Sequence, residues 1–507
     1  MPAVTSQDLV VAVDVGTTAT KVVAFATDGA VLAEAERGYA LHAPQPGHAE
    51  QDPQEILAAV LSALGEVVAR VGAGRVAGLA FSSAMHTLMA LDGAGRPLTA
   101  VTSWADTRSQ TQAERLRADP AGLGLHRRTG TPVHPMSPLP RLAWFAENEP
   151  ELCRRAARWC GIKEYLLLQL CDAWVMDHSI GSCSGLMNLE ALDWDAEALR
   201  VAAVDAGQLP VLVPTTHVVG LAEQPAAAVG LPSGTPVVVG AGDGPLANLG
   251  VGAVRPGMAA CSLGTSGALR VVVDRPAVDP QGRVFCYALA PGLWVVGGAI
   301  NNGGIVMRWA LESLAPDLGE GAEIELLAQA AQVPAGSGGL LMVPSLLSER
   351  APRWTSLARA SYVGLTRDHR REHLLRAALE GVVLQLALVL ESMRAAGLDV
   401  SEVRATGGVM RSELWQQLLA DALDLPIDLP DGQQGSSYGA AILGMLALGL
   451  VGDLDAPAAA TPIARTVEPI PDNAGVYARL RPVFAGLDDA LAPTFTALRR
   501  LDLSLRR

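Results

Sequence analysis

Asp14-Val-Gly-Thr-Thr-Ala-Thr-Lys21 gathers a carboxylate, a glycine, several hydroxyls and an amine into one short stretch. That set suits an anion such as phosphate. Backbone N–H groups of a tight turn form the cradle, glycine permits close approach, and hydroxyls or a cation complete the shell. Gly16, Thr17, Thr18 and Lys21 can supply these parts. Asp14, at a strand end, could hold Mg2+, usually through water because that ion dehydrates reluctantly. The same residues also describe an ordinary hairpin with a polar tip. They match neither the G-x-x-x-x-G-K-[ST] loop nor the G-x-G-x-x-G fingerprint. Gly264-Thr265-Ser266-Gly267 is a second tip of this kind. One such tip is a common turn; two facing each other could clamp a triphosphate.

Asp243 lies between Gly242 and Gly244, just past an apolar run. The glycines allow a sharp turn that leaves the carboxylate open. Phosphoryl transfer to an alcohol needs such a group to accept the hydroxyl proton. A turn aspartate that caps its own backbone reads the same way. Gly407-Gly408, between an apolar strand and a helix, suits close approach of a flat group such as adenine, or a plain strand-to-helix turn. Ser83-Ala-Met-His86 and Trp104-Ala-Asp-Thr-Arg108 combine donors, acceptors and an aromatic face, which suits a polyhydroxy ligand. His86 could equally be a core histidine. No H-x-x-H, no Cys/His set and no G-x-S-x-G elbow is present, which argues against zinc enzymes and serine hydrolases.

These groups need elements to hold them. Leu9–Val15 is a β-branched run that reads as a buried strand, and Lys21–Phe25 resumes after the glycine break as its hairpin partner. A third strand follows at Val31–Gly38. Asp52 is a good N-cap and Pro53 suits the first helical position; Ile56, Val60, Leu64, Val67 and Val71 then recur at helical spacing. Val76–Ser82 is again a strand, so strand and helix patterns alternate as in an α/β domain. Near residue 236 the opening pattern returns: Pro236–Gly240 leads into Asp243, and Met258–Leu263 with Ala268–Val273 makes another hairpin. The two hairpins predict related units in two halves. Helical stripes follow at Glu372–Arg394, Leu414–Leu423 and Ser437–Leu450. A linker is expected at Asp455–Pro462 and a last helical segment at Ala474–Leu501. The boundary falls near residue 252, giving domains 1–252 and 253–507, the second with a helical tail.

The chain has 507 residues, half of them hydrophobic, and a formal net charge of −14. That is a folded chain with a large core, and its negative surface would repel a nucleic-acid backbone. Six cysteines without C-x-x-C spacing read as free thiols in a reducing compartment. Residues 1–9 lack a signal-peptide pattern, and apolar stretches such as Val382–Leu390 are too short to span a bilayer. The expectation is a cytoplasmic protein with no membrane partner. A homodimer is compatible with the sequence and not required by it.

Taken together, these motifs resemble a known family. The Asp14–Lys21 stretch is similar to the first phosphate motif of the actin, sugar-kinase and heat-shock-chaperone superfamily. Met136-Ser-Pro-Leu-Pro-Arg-Leu-Ala-Trp-Phe-Ala-Glu-Asn148 looks like the first signature of the FGGY carbohydrate kinases, with Arg141 where a Lys is usual. Ala360-Ser-Tyr-Val-Gly-Leu365 followed by His373-Leu-Leu-Arg-Ala-Ala-Leu-Glu380 resembles the second. The resemblance implies an α/β fold of two ribonuclease-H-like (actin/hexokinase-type) domains with an active-site cleft between them, and ATP and Mg2+ as cofactors. By motif it implies Asp243 as catalytic base and Asp14 for magnesium. Thr17, Thr18, Lys21, Gly264 and Thr265 would serve the phosphates, with Gly304, Arg308, Gly408 and Ser412 around the nucleotide. Met85, His86, Trp104, Asp106 and Arg108 would line the sugar pocket.

Phe81–Thr87, Thr102–Arg108, Arg128–Met136, Gly161–Tyr165 and Gly298–Ile305 are similar to the gluconokinase branch. That branch implies ATP and D-gluconate as the small-molecule partners, giving 6-phosphogluconate. A cation should meet the substrate carboxylate, with Arg108, His86 and His134 as candidates. The alternatives are a kinase of another small sugar or polyol, xylulokinase-like, and a non-catalytic sugar-binding regulator.

Overall fold

The computed structural model describes residues 8–317, 322–431, 435–455, 457 and 461–505. Half of the expected linker at 455–462, and residues 1–7, lie outside these. By contact density the chain forms two units. One takes residues up to Pro256 with Val272–Val296 and the segment 434–461; the other takes Gly257–Val271, 297–433 and the chain from Pro462 onward. A single cut at 252 therefore simplifies the path, since the segment at 434–461 returns to the first unit.

The first unit is built on a six-stranded sheet. Its strands are β1 (Leu9–Val15), β2 (Ala19–Ala26), β3 (Val31–Gly38), β4 (Val76–Ser83), β5 (Val218–Gly220) and β6 (Pro236–Gly242), in the order β5-β6-β4-β1-β2-β3. β1, β4 and β6 run parallel, and β1–β2 and β2–β3 are antiparallel. Side chains alternate between the two faces of a strand. The odd-numbered Val11, Val13, Leu79, Phe81, Val237 and Val239 share one core with helix α1 (Pro53–Val71), which buries Ile56, Val60, Leu64 and Val67 there. Each such side chain contributes about 1.5–3 kcal/mol by leaving water. Asp52 caps α1 as expected, its Oδ1 accepting from Gln54 N at 2.8 Å.

Further helices shape this unit, among them α2 (Pro138–Asn148), α3 (Ile162–Cys171), α4 (His178–Cys183) and α5 (Asp243–Gly250). The other face of the sheet is closed by a late helix, Gly435–Ala447. A Cβ on its Gly444 would stand 2.7 Å from Ala80 Cβ and 2.9 Å from Val10 Cγ1. A Cβ on its Gly439 would come 2.0 Å from Leu246 O of α5. Glycine is needed at both positions because backbone meets sheet and helix directly.

The second sheet has seven strands: β7 (Met258–Leu263), β8 (Gly267–Val273), β9 (Phe285–Ala290), β10 (Leu293–Ile300), β11 (Glu402–Thr406), β12 (Ile427–Pro430) and β13 (Ile463–Val467). Their order is β9-β10-β8-β7-β11-β12-β13. From β10 to β13 it repeats the first sheet. A hairpin, β7–β8, is followed by parallel β11 and β12 and an antiparallel edge, β13. The duplication expected from the two hairpins is thus a duplication of whole sheets.

The second unit holds α6 (Gly304–Leu314), α7 (Arg371–Ala395) and α8 (Glu413–Leu423). The Gly435–Ala447 helix is α9, and the chain ends in α10 (Pro471–Leu505). The Val382–Leu390 stretch is the middle of α7. The whole helix is long and apolar enough to cross a bilayer, which corrects the expectation of too short a run. However, 89% of its most apolar window is buried inside the protein, as in a core helix.

Candidate active site

The hairpin tip between β1 and β2 is pinned by its carbonyls. Tyr39 Oη donates to Gly16 O (2.6 Å), Gln51 Nε2 to Thr17 O (2.8 Å) and Tyr39 N to Thr18 O (3.1 Å). Trp104 Nε1 donates to Thr17 Oγ1 at 3.0 Å, so the expected sugar-pocket tryptophan touches the phosphate tip. With its carbonyls drawn into the protein, the tip is suited to offer N–H groups and hydroxyls to an anion. Lys21 is placed differently: its ammonium pairs with Glu34 at 3.0 Å, a largely exposed contact of small energetic weight.

Asp14 is even-numbered on β1 and so faces α9. Its Oδ2 accepts from Ser436 Oγ (2.6 Å) and Ser437 Oγ (3.1 Å) at the start of that helix. Its Oδ1 is buried without a hydrogen-bond partner, as is Oγ of Ser82, the register partner of Asp14 on β4. One held oxygen and one unsatisfied oxygen fit a hydrated Mg2+. Among the described residues no group of three His, Cys, Asp or Glu could hold a metal.

β6 ends at the same sheet edge and turns directly into α5, whose first residue is Asp243. Two glycines make the turn possible. Gly240 has φ +71°, and its Cβ would collide with Phe81 O at 1.7 Å; a Cβ on Gly242 would stand 2.7 Å from Met85 Cγ. Met85 therefore lies beside the base candidate. Asp243 is partly exposed and its Oδ1 accepts from Gly244 N at 2.7 Å, so the capping role weighed from sequence is also real. A carboxylate is favoured at this helix start by the backbone dipoles.

His86 is buried at φ +63°, with Nδ1 2.9 Å from Cys183 O and its ring edge-on to Tyr287 at 5.9 Å. Asp106 and Arg108 form a closed pair rather than an open one. Asp106 accepts from Ala49 N (2.9 Å), Arg108 N (3.1 Å) and the Arg108 guanidinium (2.8 and 2.9 Å). Arg108 also meets Glu50 and lies over the Trp144 ring at 5.2 Å. Burial pulls its pKa down, but the hydrogen bonds and charges of Asp106 and Glu50 hold it above the ordinary value. Its fork is thus filled by protein carboxylates, against the expectation of a cation for the substrate. His134 is buried and its Nδ1 accepts from Met136 N at 3.2 Å.

Arg141 was legible in the sequence only as a charge. In the structure it is fully buried and joins the loops that carry His86, Ser103 and Met136. It donates to Thr102 Oγ1 (2.5 Å), Ser103 O (3.0 Å), Met136 O (2.5 Å), Ser137 O (3.5 Å) and, at close range, His86 O. Ser436, Ser437, Gln51 and Tyr39 also escaped sequence reasoning. The small polar Gly435-Ser-Ser run at a helix start was the one available signal.

In the second unit, the tip between β7 and β8 is pinned in the same manner as the first. Gly303 N and Ile305 N donate to Thr265 O (3.1 and 3.2 Å), and Gly304 N to Gly264 O (2.7 Å). Gly304 also lies against Val409, since its Cβ would stand 2.9 Å from Val409 Cγ1. Gly264, Thr265, Gly304 and the Gly408–Arg411 turn therefore meet. Gly407, at φ +110°, is the residue pressed on β7, where a Cβ would fall 2.2 Å from Leu263 O; beside Gly408 a Cβ would meet only Arg411 Nη2, at 4.0 Å. Arg308 is exposed on α6, and Ser412 precedes α8 without a side-chain cap bond.

Residues 9–250 match the model of the FGGY family of carbohydrate kinases, N-terminal domain, and residues 259–448 that of its C-terminal domain. The chain is 40% identical over 496 residues to a gluconokinase of Bacillus subtilis (strain 168), covering 96% of each. It is similar to the crystal structure of gluconate kinase from Lactobacillus acidophilus, with TM-score 0.93 and 33% identity, covering 97% of this chain and 99% of that one. The ligand-bound structure of xylulose kinase from Lactobacillus acidophilus matches with the same score, identity and coverage. Two pinned hairpin tips on duplicated sheets, a glycine-flanked carboxylate and matches over nearly the whole length agree: the chain belongs to the FGGY family of carbohydrate kinases.

Proposed function

We propose that this carbohydrate kinase transfers the γ-phosphoryl group of ATP to the 6-hydroxyl of D-gluconate. Asp243 takes the hydroxyl proton as the alkoxide oxygen bonds to phosphorus and ADP departs. The observation that carries this reading is the position of Asp243: a partly exposed carboxylate at a helix start, beside Met85, on the sheet edge that also ends in Asp14. Gluconate is supported by the 40% identity to a relative named gluconokinase.

Thr17, Thr18 and, after leaving Glu34, Lys21 serve the phosphates with Gly264 and Thr265. Gly304, Arg308, Gly408 and Ser412 serve the nucleotide. Asp14 would hold Mg2+ with its unsatisfied oxygen. When bound, that ion neutralises charge on the phosphates. Met85, His86 and Trp104 line the sugar; Asp106 and Arg108 support the pocket from behind. His86 and His134 are the candidates left to meet the substrate carboxylate, since the Arg108 fork is filled by Asp106 and Glu50. The free thiols of all six cysteines accord with a cytoplasmic setting.

A xylulokinase-like reading has one specific support, the equal similarity to a xylulose kinase structure. A substrate panel with coupled ADP detection separates the two, and a clear preference for xylulose over gluconate would overturn the choice. Asp243→Asn should lower turnover by about 10²–10⁴-fold and leave ATP binding intact. Substantial residual turnover would sink the base assignment. ATP hydrolysis without transfer to any sugar would point instead to a non-catalytic regulator.

A further inference from the structure

The short helix α4 makes contact with both His86 and the residue before Asp243. Asp177 caps it, Oδ1 accepting from Ser179 N (2.9 Å) and Ile180 N (3.0 Å). In the first turn, Ser179 Oγ accepts from Gly242 N at 3.2 Å, and Gly242 is bonded to Asp243. In the last turn, Cys183 O faces His86 Nδ1 at 2.9 Å. His86 sits in the left-handed region, which costs a non-glycine residue about 1–3 kcal/mol. Its imidazole is therefore held by its surroundings against the backbone preference. On its other oxygen, Asp177 pairs with Lys163 Nζ at 2.5 Å, and the two side chains are 0% and 1% exposed. Desolvating such a pair costs several kcal/mol per ion, so stability alone is a weak reason to have it.

We propose that Lys163, Asp177 and Ser179 form a positioning relay that sets the Asp243 carboxylate and the His86 imidazole relative to one another. Lys163 holds one oxygen of Asp177, which leaves the other for the two N–H groups at the start of α4. The seated helix then presents Ser179 Oγ to Gly242 N, fixing the peptide plane that leads into Asp243. At its far end it presents Cys183 O to His86. These three are positioning residues, since each acts through another group. The relay rests on the reading of Asp243 as base.

The test compares Ser179→Ala, Asp243→Asn and Ser392→Ala, using the sugar that the substrate panel selects. Ser392 is also buried and donates Oγ to Leu388 O at 2.8 Å within α7, so it loses a comparable buried hydrogen bond on a helix that carries none of the site residues. Ser179→Ala is expected to lower kcat roughly 10- to 100-fold, the scale of a small misplacement of reacting groups, with KM for ATP nearly unchanged. Ser392→Ala should lower the urea midpoint by a similar amount and leave kcat nearly unchanged. Asp177→Asn keeps a cap oxygen and loses the charge opposite Lys163; it is the second variant should Ser179→Ala not fold, and should lower kcat in the same sense. Folded Ser179→Ala or Asp177→Asn protein with parental kcat would overturn the relay, as would an equal kcat loss in Ser392→Ala. If Asp243→Asn loses turnover while Ser179→Ala keeps it, the relay alone fails. If Asp243→Asn keeps turnover, the base reading fails and the relay with it.

Discussion

Arg141→Lys should be far from conservative. The guanidinium gives its protons to four backbone carbonyls and a hydroxyl, from loops that carry His86, Ser103 and Met136. Burial pushes its pKa from 12.5 down to about 9. That shift corresponds to about 5 kcal/mol of uncompensated charge penalty, yet leaves Arg141 charged at pH 7. An ammonium starts near 10.4, so the same burial would push the substituted lysine down from a lower starting point. It also has only three donors, leaving at least two acceptors unpaired. At about 1–3 kcal/mol each, the loss of stability is about 2–6 kcal/mol.

The pH dependence has a definite sign. A buried amine with a lowered pKa binds fewer protons folded than unfolded between its folded pKa and about 10.4. Stability of the lysine variant therefore rises with pH across that window. The arginine parent gains nothing until pH passes about 9. Urea unfolding followed by circular dichroism at pH 6, 7.5 and 9 should show a deficit that is largest at pH 6 and shrinks toward 9. Because the linked loops hold His86 and neighbour Trp104, KM for the sugar should rise more than KM for ATP. A midpoint equal to that of the parent at all three pH values would refute the reasoning.

Three other outcomes are expected. Replacing Ser436 and Ser437 together by alanine releases Asp14 Oδ2. The Mg2+ concentration for half-maximal turnover, and the Mg2+ dependence of ADP binding by calorimetry, should rise several-fold; unchanged Mg2+ dependence would count against Asp14 as the metal carboxylate. His126 is buried, which pushes its pKa down to about 4 from 6.5. The unfolded chain then binds the extra proton between pH 6.5 and 4, so about 3 kcal/mol of stability is lost as pH falls through that window. His126→Gln should flatten the slope in urea titrations, and an unaltered slope would assign the acid sensitivity elsewhere. Tyr477 of α10 donates to Glu380 Oε1 (2.8 Å) and accepts from Arg376 Nη2 (3.1 Å), both buried on α7. Tyr477→Phe should cost about 1–3 kcal/mol and speed amide exchange in α10; parental exchange rates would show that the helix is anchored otherwise.

The strand at Leu9–Val15 was readable as a β-branched run, with Asp14 at its end. The Asp52 cap and the hairpin tips at Gly16 and Gly264 were readable for similar local reasons. Asp243 was readable as a glycine-flanked carboxylate beyond a buried run. These features depend on neighbours a few residues away. What the sequence could not show is what meets each group from afar. Asp14 is oriented by Ser436 and Ser437, on a helix at the far end of the chain. Arg108, which reads as a substrate cation, is filled by Asp106 and Glu50. Arg141, which reads as a spare positive charge, donates to loops from three separate segments. A charge on a sequence has no partner until the chain has folded, because both burial and the supply of hydrogen-bonding groups come from segments distant along the chain. The residue types and their spacing therefore determined the elements and the class of chemistry. Which of those residues remain open to a ligand, and which are consumed in holding the others, was decided only by the tertiary structure.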